Sequence, residues 1–146
     1  MERTFPYIFE TENKYPGAPS VDEHYIDGSP FLLENMNVVP IDGLHNTLQV
    51  YGYRFDKFAY LTDMKNVSKT EIDKLSGVEV LVVNALREQP HQSHFNLSEA
   101  LDFINKVKPN KAYLTHISHL LGFHDDVQQN LPENVFLAYD NLQIEI

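Results

Sequence analysis

The sequence predicts an α/β domain built around a mixed β-sheet, on three observations. Segments of strand-like composition alternate with helix-like segments through the middle of the chain. The run "VEVLVVNAL" is almost continuously apolar and β-branched, which is typical of a strand covered on both faces. Alternating apolar segments towards both ends favour antiparallel pairs. We expect a single domain over residues 1–146, because this length suits one hydrophobic core.

The first thirty residues are expected to be irregular. The stretch "YPGAPSVDEHYIDGSP" is rich in Pro, Gly, Asp and Ser, which favour turns and loops. Strand-like alternation begins in "ENMNVVPI" and continues past Gly43. The residues "FDKF" then predict a turn into a further strand from Phe58 to Leu61.

Two helices carry clear signals at their amino ends. Ser68 followed by Glu71 is a capping-box pattern, and that helix is predicted to end at Ser76-Gly77. Asn96 and Glu99 repeat the pattern at the start of the stronger helix, which a proline stops. Its apolar stripe indicates core packing and consists of Leu97, Ala100, Leu101, Ile104 and Val107.

The carboxyl-terminal third predicts a strand, a short helix and a hairpin. The strand is "KAYLTH" and the helix lies near "HDDVQQNL". The closing stretch "NVFLAYDNLQIEI" predicts a hairpin that turns at Asp140-Asn141.

Composition excludes several classes of function. The 21 acidic and 11 basic residues give a formal net charge of −10, which argues against a broad nucleic-acid surface. The absence of cysteine excludes disulfides and thiolate metal sites. No run of about 20 apolar residues predicts a membrane span, and "MERTFPYIFE" has no apolar signal region. We therefore expect a cytoplasmic protein that does not bind membranes.

Four polar residues lie where strand-like segments end. His45 follows "IDG", Asp63 follows "FAYLT", His94 lies in the loop after "VEVLVVNAL", and His116 follows "KAYLT". Ligands bind beyond the carboxyl ends of strands in α/β sheets, so we expect these side chains to share one crevice. Each also has an ordinary interpretation: a strand-end aspartate often forms a turn, and the histidine beside the Asn96 cap can be a surface residue.

These residue types suit metal chemistry. Imidazole and carboxylate bind zinc, manganese or iron, and a carboxylate can bridge two ions. Two ions can hold a phosphoryl group and a water molecule together. His94 would be near enough to protonate a leaving alkoxide without being a ligand, whereas His91 is interpreted as a surface residue.

Four motifs together resemble a known family. "YLTDMK", "HQSHFNLSEAL", "KAYLTHISH" and "LAYDNLQIEI" resemble the carboxyl-terminal half of metallo-β-lactamase-fold hydrolases, in the branch containing the phosphoribosyl cyclic phosphate phosphodiesterase. The resemblance runs from Pro40 to Ile146. It implies half of an αββα sandwich, with a mixed sheet and helices on one face. Residues 1–30 would then be irregular, and residues 31–146 would form the family's half-domain.

The resemblance also implies roles for individual residues. His45 would ligate one metal, Asp63 would bridge both metals and His116 would ligate the second. His94 would assist catalysis, and His119 would support the site from behind His116. The implied cofactor is divalent zinc or manganese, and the implied substrate is a small phosphate ester.

One departure from the family changes the expectation. The sequence contains no H-x-H-x-D-H motif, which supplies most of the remaining ligands in these enzymes. We expect the chain to begin downstream of those ligands, with the metal absent or partly bound and activity weak. An exposed apolar sheet surface would be covered by dimerisation or by the missing amino-terminal half. The open alternatives are a non-catalytic interaction module, and a lactonase or thioesterase on the same scaffold.

Overall fold

A computed structural model describes residues 3–10, 12 and 14–145, which contain one seven-stranded sheet whose strands lie in chain order. The strands are β1 (Phe31–Leu33), β2 (Met36–His45), β3 (Leu48–Phe55), β4 (Phe58–Leu61), β5 (Val80–Asn84), β6 (Lys111–Thr115) and β7 (Val135–Leu137). The helices are α1 (Pro6–Phe9), α2 (Lys69–Asp73), α3 (Leu97–Val107) and α4 (His124–Gln128). None of the helices in the described part of the chain has the length and apolarity to cross a bilayer.

Strands β1 to β4 form antiparallel hairpins with two-residue turns. The first turn residue has a positive φ in each hairpin, at Glu34, Asn46 and Asp56. Asn and Asp tolerate this left-handed conformation better than most residues, because their short polar side chains bond locally. The turn predicted at "FDKF" is confirmed, since Phe55 pairs with Phe58.

Strands β4 to β7 are parallel neighbours, so the sheet is mixed, as predicted. Each crossover contains one helix: α2, α3 and α4 in turn. Right-handed crossovers that all step the same way along a sheet place their helices on the same face. All five residues of β5 are buried, which confirms the covered strand predicted from its β-branched run.

The sheet therefore has two unlike faces, which we call the helix face and the open face. The helix face carries small and aliphatic residues that are fully buried against the helices, including Ala59, Leu61, Leu81, Val83 and Leu114. The open face carries aromatic residues in the alternate positions, and these remain partly exposed: Tyr53, Phe55, Phe58, Tyr60, Tyr113 and Phe136. Paired aromatic rings lie over the strands on this side, as between Phe55 and Phe58.

The two predicted helix caps are found, with one difference. In α3 the Asn96 side chain accepts from the Glu99 N–H, and the Glu99 carboxylate accepts from the Asn96 N–H, completing the capping box. In α2 the Ser68 side chain caps Glu71, but the Glu71 carboxylate accepts from the Asp42 N–H of β2 instead. The Glu71 carboxylate therefore links α2 to the sheet and does not complete a capping box. The helix itself ends at Asp73, and turns continue to residue 77, earlier than predicted.

The predicted closing hairpin is wrong. Strand β7 pairs in parallel with β6, and residues 138–145 form no strand. The Gln128 side chain of α4 explains the difference, because it donates to the Val135 carbonyl and accepts from the Leu137 N–H. These are the groups on the outer edge of β7 that a hairpin partner would need. The side chain thus protects a sheet edge that further pairing would otherwise extend.

Candidate metal centre

The four predicted site residues are brought together at one edge of the sheet. Strand β2 runs parallel to β4, because each is antiparallel to β3. The carboxyl ends of β2, β4, β5 and β6 therefore share an edge. His45 ends β2, Asp63 follows β4, His94 lies in the loop after β5, and His116 follows β6.

Asp63 lies at the centre of the cluster. Its Oδ1 is 3.0 Å from Nε2 of His94 and 3.4 Å from Nε2 of His116. The rings of His94 and His116 are stacked, with centroids 4.6 Å apart and an interplanar angle of 17°. His45 meets the His94 ring edge-on at the same centroid separation. One carboxylate thus faces imidazoles contributed by separate loops.

Asp63 and His116 share an unusual backbone conformation. Their φ angles are 56° and 55°, in the left-handed region, and each follows a Leu-Thr pair at a strand end. Such a conformation costs about 1–3 kcal/mol in a non-glycine residue and persists only where its surroundings hold it. The two strained positions coincide with two of the predicted ligands.

Asn84 and Met64 hold the backbone next to Asp63. The fully buried Asn84 side chain accepts from the Met64 N–H at 2.9 Å and donates to the Met64 carbonyl at 3.0 Å. The Met64 side chain fills space beside two glycines: a Cβ at Gly43 or Gly52 would lie 3.0 Å from its Sδ or Cε atom, respectively. Sequence inspection missed Asn84, although an amide ending a β-branched run was a signal.

His94 is backed by a polar network that sequence inspection underestimated. Its Nδ1 lies 3.1 Å from the Ser93 hydroxyl and 3.2 Å from Nδ1 of His91. The interpretation of His91 as a surface residue is therefore incomplete, since it is half-buried and contacts the site. When Nε2 of His94 donates to Asp63, its Nδ1 accepts from Ser93 or, if protonated, donates to His91. A proton can thus be held on either side of this ring.

The electrostatics keep Asp63 ionised. Partial burial by itself raises the pKa of this carboxyl group, but the His94 hydrogen bond and the nearby charges of His116, His94 and His45 outweigh it, so the pKa is lowered. Desolvation, followed by the charges of His94 and Arg87, lowers the pKa of His91. The cluster therefore presents an anionic carboxylate among imidazoles, which is a suitable donor set for a cation.

The donor set fits a divalent ion. One ligand atom from each of His45, Asp63 and His94 lies within 4.8 Å of the other two. Donors around a tetrahedral zinc ion lie about 3.4 Å apart, so small side-chain movements would close the site. Over the described residues, His116 is not part of this trio, although it contacts Asp63.

His119 lies apart from these contacts. It is exposed, and no side-chain hydrogen bond joins it to the cluster within the part of the chain that the structure describes. Its role behind His116 stays a prediction, as do the individual ligand roles of the other residues.

Comparison with known proteins identifies the fold family. Residues 1–117 match a family model described as a beta-lactamase superfamily domain. The chain belongs to this superfamily. The resemblance to the metallo-β-lactamase fold is thereby confirmed, and the match begins well before Pro40, where the sequence motifs placed its start.

Three relatives show how much of a superfamily protein the chain represents. A diphosphatase of the PhnP family is 31% identical, with a TM-score of 0.86, and the match covers 99% of this chain and 53% of that protein. The short form of human tRNase Z has a TM-score of 0.63 at 18% identity, over 94% of this chain and 54% of that one, which is a likeness of fold alone. An octanoyltransferase of Porphyromonas gingivalis (strain ATCC BAA-308 / W83) is 32% identical over 139 residues, 94% of this chain but 28% of that protein. The chain thus spans about half of the two matched structures and a smaller part of the third relative.

Proposed function

We propose that this chain is the metal-binding part of a hydrolase that cleaves small phosphate esters, most simply a phosphodiesterase. The observation that carries the proposal is the convergence of three imidazoles on the Asp63 carboxylate at one sheet edge. The similarity to a PhnP-family diphosphatase over 99% of the chain supports phosphate chemistry rather than lactone or thioester hydrolysis. The octanoyltransferase likeness supports no acyl chemistry here, because it involves only 28% of that protein.

In this proposal, His45 would ligate one metal ion and His116 the second, and the Asp63 carboxylate would be a ligand of both. These residues would hold zinc or manganese, and the bound ion would supply Lewis acidity that lowers the pKa of a coordinated water towards about 7 and offsets charge on the phosphoryl oxygens. Asp63 lies near both proposed histidine ligands, because its Oδ1 is 3.4 Å from Nε2 of His116 and one of its oxygens is within 4.8 Å of a ring nitrogen of His45.

His94 is proposed to deliver the proton to the leaving oxygen. An imidazole side chain can both accept and donate a proton near neutral pH, which suits this role. His94 is 8% exposed, and contacts on both sides hold its ring: Nε2 lies 3.0 Å from Asp63, and Nδ1 contacts Ser93 and His91 on the far side. The trio that includes His94 leaves a ligand role as the competing assignment.

The remaining ligands are proposed to come from a complementary layer that packs on the open face. The part of the diphosphatase that this chain does not cover is the proposed occupant of that face. Exposed aromatic residues such as Tyr60 are the kind of surface that such a layer would bury. This observation also favours the second candidate, a non-catalytic module that docks through the same face. Activity of the chain alone is then expected to be weak.

A metal titration combined with a hydrolysis assay tests the proposal. Calorimetry should detect Mn²⁺ binding to the chain, and Asp63→Asn should weaken it by about tenfold or more, because a ligating carboxylate oxygen and its charge are lost. Asp73→Asn, at an exposed position on α2, is the matched control and should bind Mn²⁺ like the unaltered chain.

The assay follows bis-(p-nitrophenyl) phosphate with added Mn²⁺. Slow metal-dependent release of p-nitrophenol, reduced by His94→Ala, supports a phosphodiesterase. Mn²⁺ binding without hydrolysis, before and after addition of the part of the diphosphatase that this chain does not cover, would favour the non-catalytic module. Equal Mn²⁺ affinity of the unaltered chain and Asp63→Asn would refute the metal site.

A further inference from the structure

An apolar groove lies on the helix side of the sheet. It has a volume of about 450 Å³ and runs between α3 and the segment that contains α4. Its floor consists of aliphatic side chains from both elements: Leu97 and Leu101 of α3, Leu121 before α4, Val127 within it and Leu131 after it. The four residues of the candidate metal centre lie outside this lining. The groove is therefore a surface with no part in the proposed hydrolysis.

The spacing of the floor residues suits an α-helical partner segment. Leu97 and Leu101 are four residues apart on α3, so their side chains share one face of that helix. Val127 and Leu131, which are also four residues apart, come from α4 and the turn after it. Amphipathic helices bind by laying their apolar face into a hydrophobic groove of this kind.

Phe123 at the edge of the groove contradicts two local rules. It is the N-cap residue of α4, where Ser, Thr, Asp or Asn would accept a hydrogen bond from the helix, and its side chain makes no such bond. It is also 83% exposed, although phenylalanine is usually buried. Exceptions to local rules are expected at functional sites, and aromatic side chains are enriched in protein interfaces. Phe123 therefore marks the groove as a contact surface.

The charged residues of the groove are all acidic. Glu88 and Asp126 line it, and no Lys, Arg or His among the described residues does so. Neither carboxylate forms an ion pair within the part of the chain that the structure describes. An acidic rim around an apolar floor complements a partner that carries Lys or Arg beside its apolar side chains. It disfavours a second copy of this chain, because an isologous dimer would bring the same acidic rims together.

We propose that this groove binds a basic amphipathic helix of a partner protein. The apolar side chains of that helix pack on the aliphatic floor and contact Phe123 at the rim, and its Lys or Arg side chains pair with Glu88 and Asp126. The complementary layer proposed above covers the open face, whereas this groove lies on the other side of the sheet. Both surfaces can therefore be occupied at once.

Selection of a phage-displayed library of random peptides on the full chain tests this inference. The enriched peptides should combine Lys or Arg with apolar residues at helical spacing, as a basic amphipathic helix requires. Phe123→Ser should weaken binding of an enriched peptide by about tenfold or more, because it removes an aromatic anchor. Its thermal unfolding midpoint should be unchanged or higher, since Ser is a better N-cap residue than Phe. A purely structural role of this ring would lower the midpoint instead.

Further variants test the charge and the location. Glu88→Gln combined with Asp126→Asn should weaken peptide binding and reduce its dependence on salt, since the ion pairs are lost. Glu23→Gln combined with Asp73→Asn removes the same number of charges at exposed positions elsewhere, and should bind like the unaltered chain. Tyr60→Ala on the open face should also leave peptide binding unchanged.

Several outcomes would overturn the inference. Failure to enrich any peptide whose binding depends on Phe123 is one, and enrichment of peptides without basic residues is another. Binding that is lost in Tyr60→Ala but kept in Phe123→Ser would locate the peptide on the open face. Self-association that Phe123→Ser abolishes, measured by sedimentation, would make a second copy the occupant of the groove. None of these measurements requires Mn²⁺ or hydrolysis, so the proposed function is tested separately.

Discussion

The two faces of the sheet are made by the same strands and yet have opposite character. On β4, Ala59 and Leu61 face the helices and have no exposed surface, whereas Tyr60 between them faces outward and is 42% exposed. On β5 every residue is buried, but Val80 and Val82 belong to the open face and lie opposite Phe58 and Tyr60 of the neighbouring strand. Aromatic rings here cover aliphatic residues while remaining partly exposed themselves.

This contrast shows what each face contributes. The helix face is close-packed with small side chains, so it carries most of the hydrophobic stabilisation of the chain. The open face buries less area per residue, so its rings retain apolar surface that an added layer can cover. The first face should therefore determine folding, and the second should determine association.

The largest expected effect comes from truncation on the helix face. Leu81→Ala should lower the free energy of unfolding by about 3 kcal/mol, because it removes a fully buried side chain and leaves a cavity. Urea denaturation followed by circular dichroism measures the change. A loss below about 1 kcal/mol would contradict the claim that the helix face carries most of the stabilisation, since it would mean that this face is loosely packed.

Asn84→Ala tests the last residue of β5, which lies on the open face and holds the backbone beside Asp63. It should cost about 2 kcal/mol, because the buried Met64 N–H loses its acceptor. It should also weaken Mn²⁺ binding, since Asp63 directly precedes Met64. Asn105→Ala, on an exposed position of α3, is the control and should affect neither quantity. Unchanged Mn²⁺ affinity in a destabilised Asn84→Ala would limit this residue to a structural role.

Glu99→Gln tests whether the Glu99 carboxylate at the start of α3 makes a pH-dependent contribution to stability. Burial raises the pKa of Glu99, but the Lys65 hydrogen bond, the Asn96 N–H and the Lys65 charge together lower it. A lowered folded-state pKa contributes stability above the unfolded value, near 4.5, and that contribution is lost as pH falls through the folded value. The side chain is 39% exposed, so solvent screening limits the effect to below about 1 kcal/mol at pH 7.

The measurement is the difference in unfolding free energy between the unaltered chain and Glu99→Gln at pH 7 and at pH 3.5. The difference should shrink at the lower pH, because protonation of Glu99 removes the contribution of its charge. The exposed Glu133→Gln should show no such change. A difference that grows with acidity would contradict the sign of the shift.

The smallest effect on stability is expected on the open face. Tyr60→Ala should change the unfolding free energy by about 0.5 kcal/mol or less, as for other partly exposed positions. Its effect on the proposed association should be larger, so sedimentation with the part of the diphosphatase that this chain does not cover should show weaker binding than for the unaltered chain, if that part is the occupant. A self-associated chain that Tyr60→Ala dissociates would make a second copy the occupant of the open face.

Much of the fold was readable from local patterns. Ser68 and Asn96 mark helix starts because capping is a contact between residues three apart, and the β-branched run of β5 reports burial directly. The predicted closing hairpin is wrong because the deciding contact is not local. The Gln128 side chain, in the helix that precedes β7, occupies the outer edge of that strand. The candidate site followed the same division: strand-end positions pointed to Asp63 and His116, whereas Asn84 and His91 act through contacts that no local pattern encodes.

The sequence by itself determined the alternation of strands and helices, the residue types at the strand ends and the acidic character of the chain, because these depend on periodicity, capping and composition. Only the tertiary structure decided that four strand ends meet at one edge, that Asp63 and His116 adopt left-handed conformations, and that an apolar groove with an acidic rim forms between α3 and the segment containing α4. These features arise when residues distant in the chain are packed together, and their geometry is set by the sheet order and its connections.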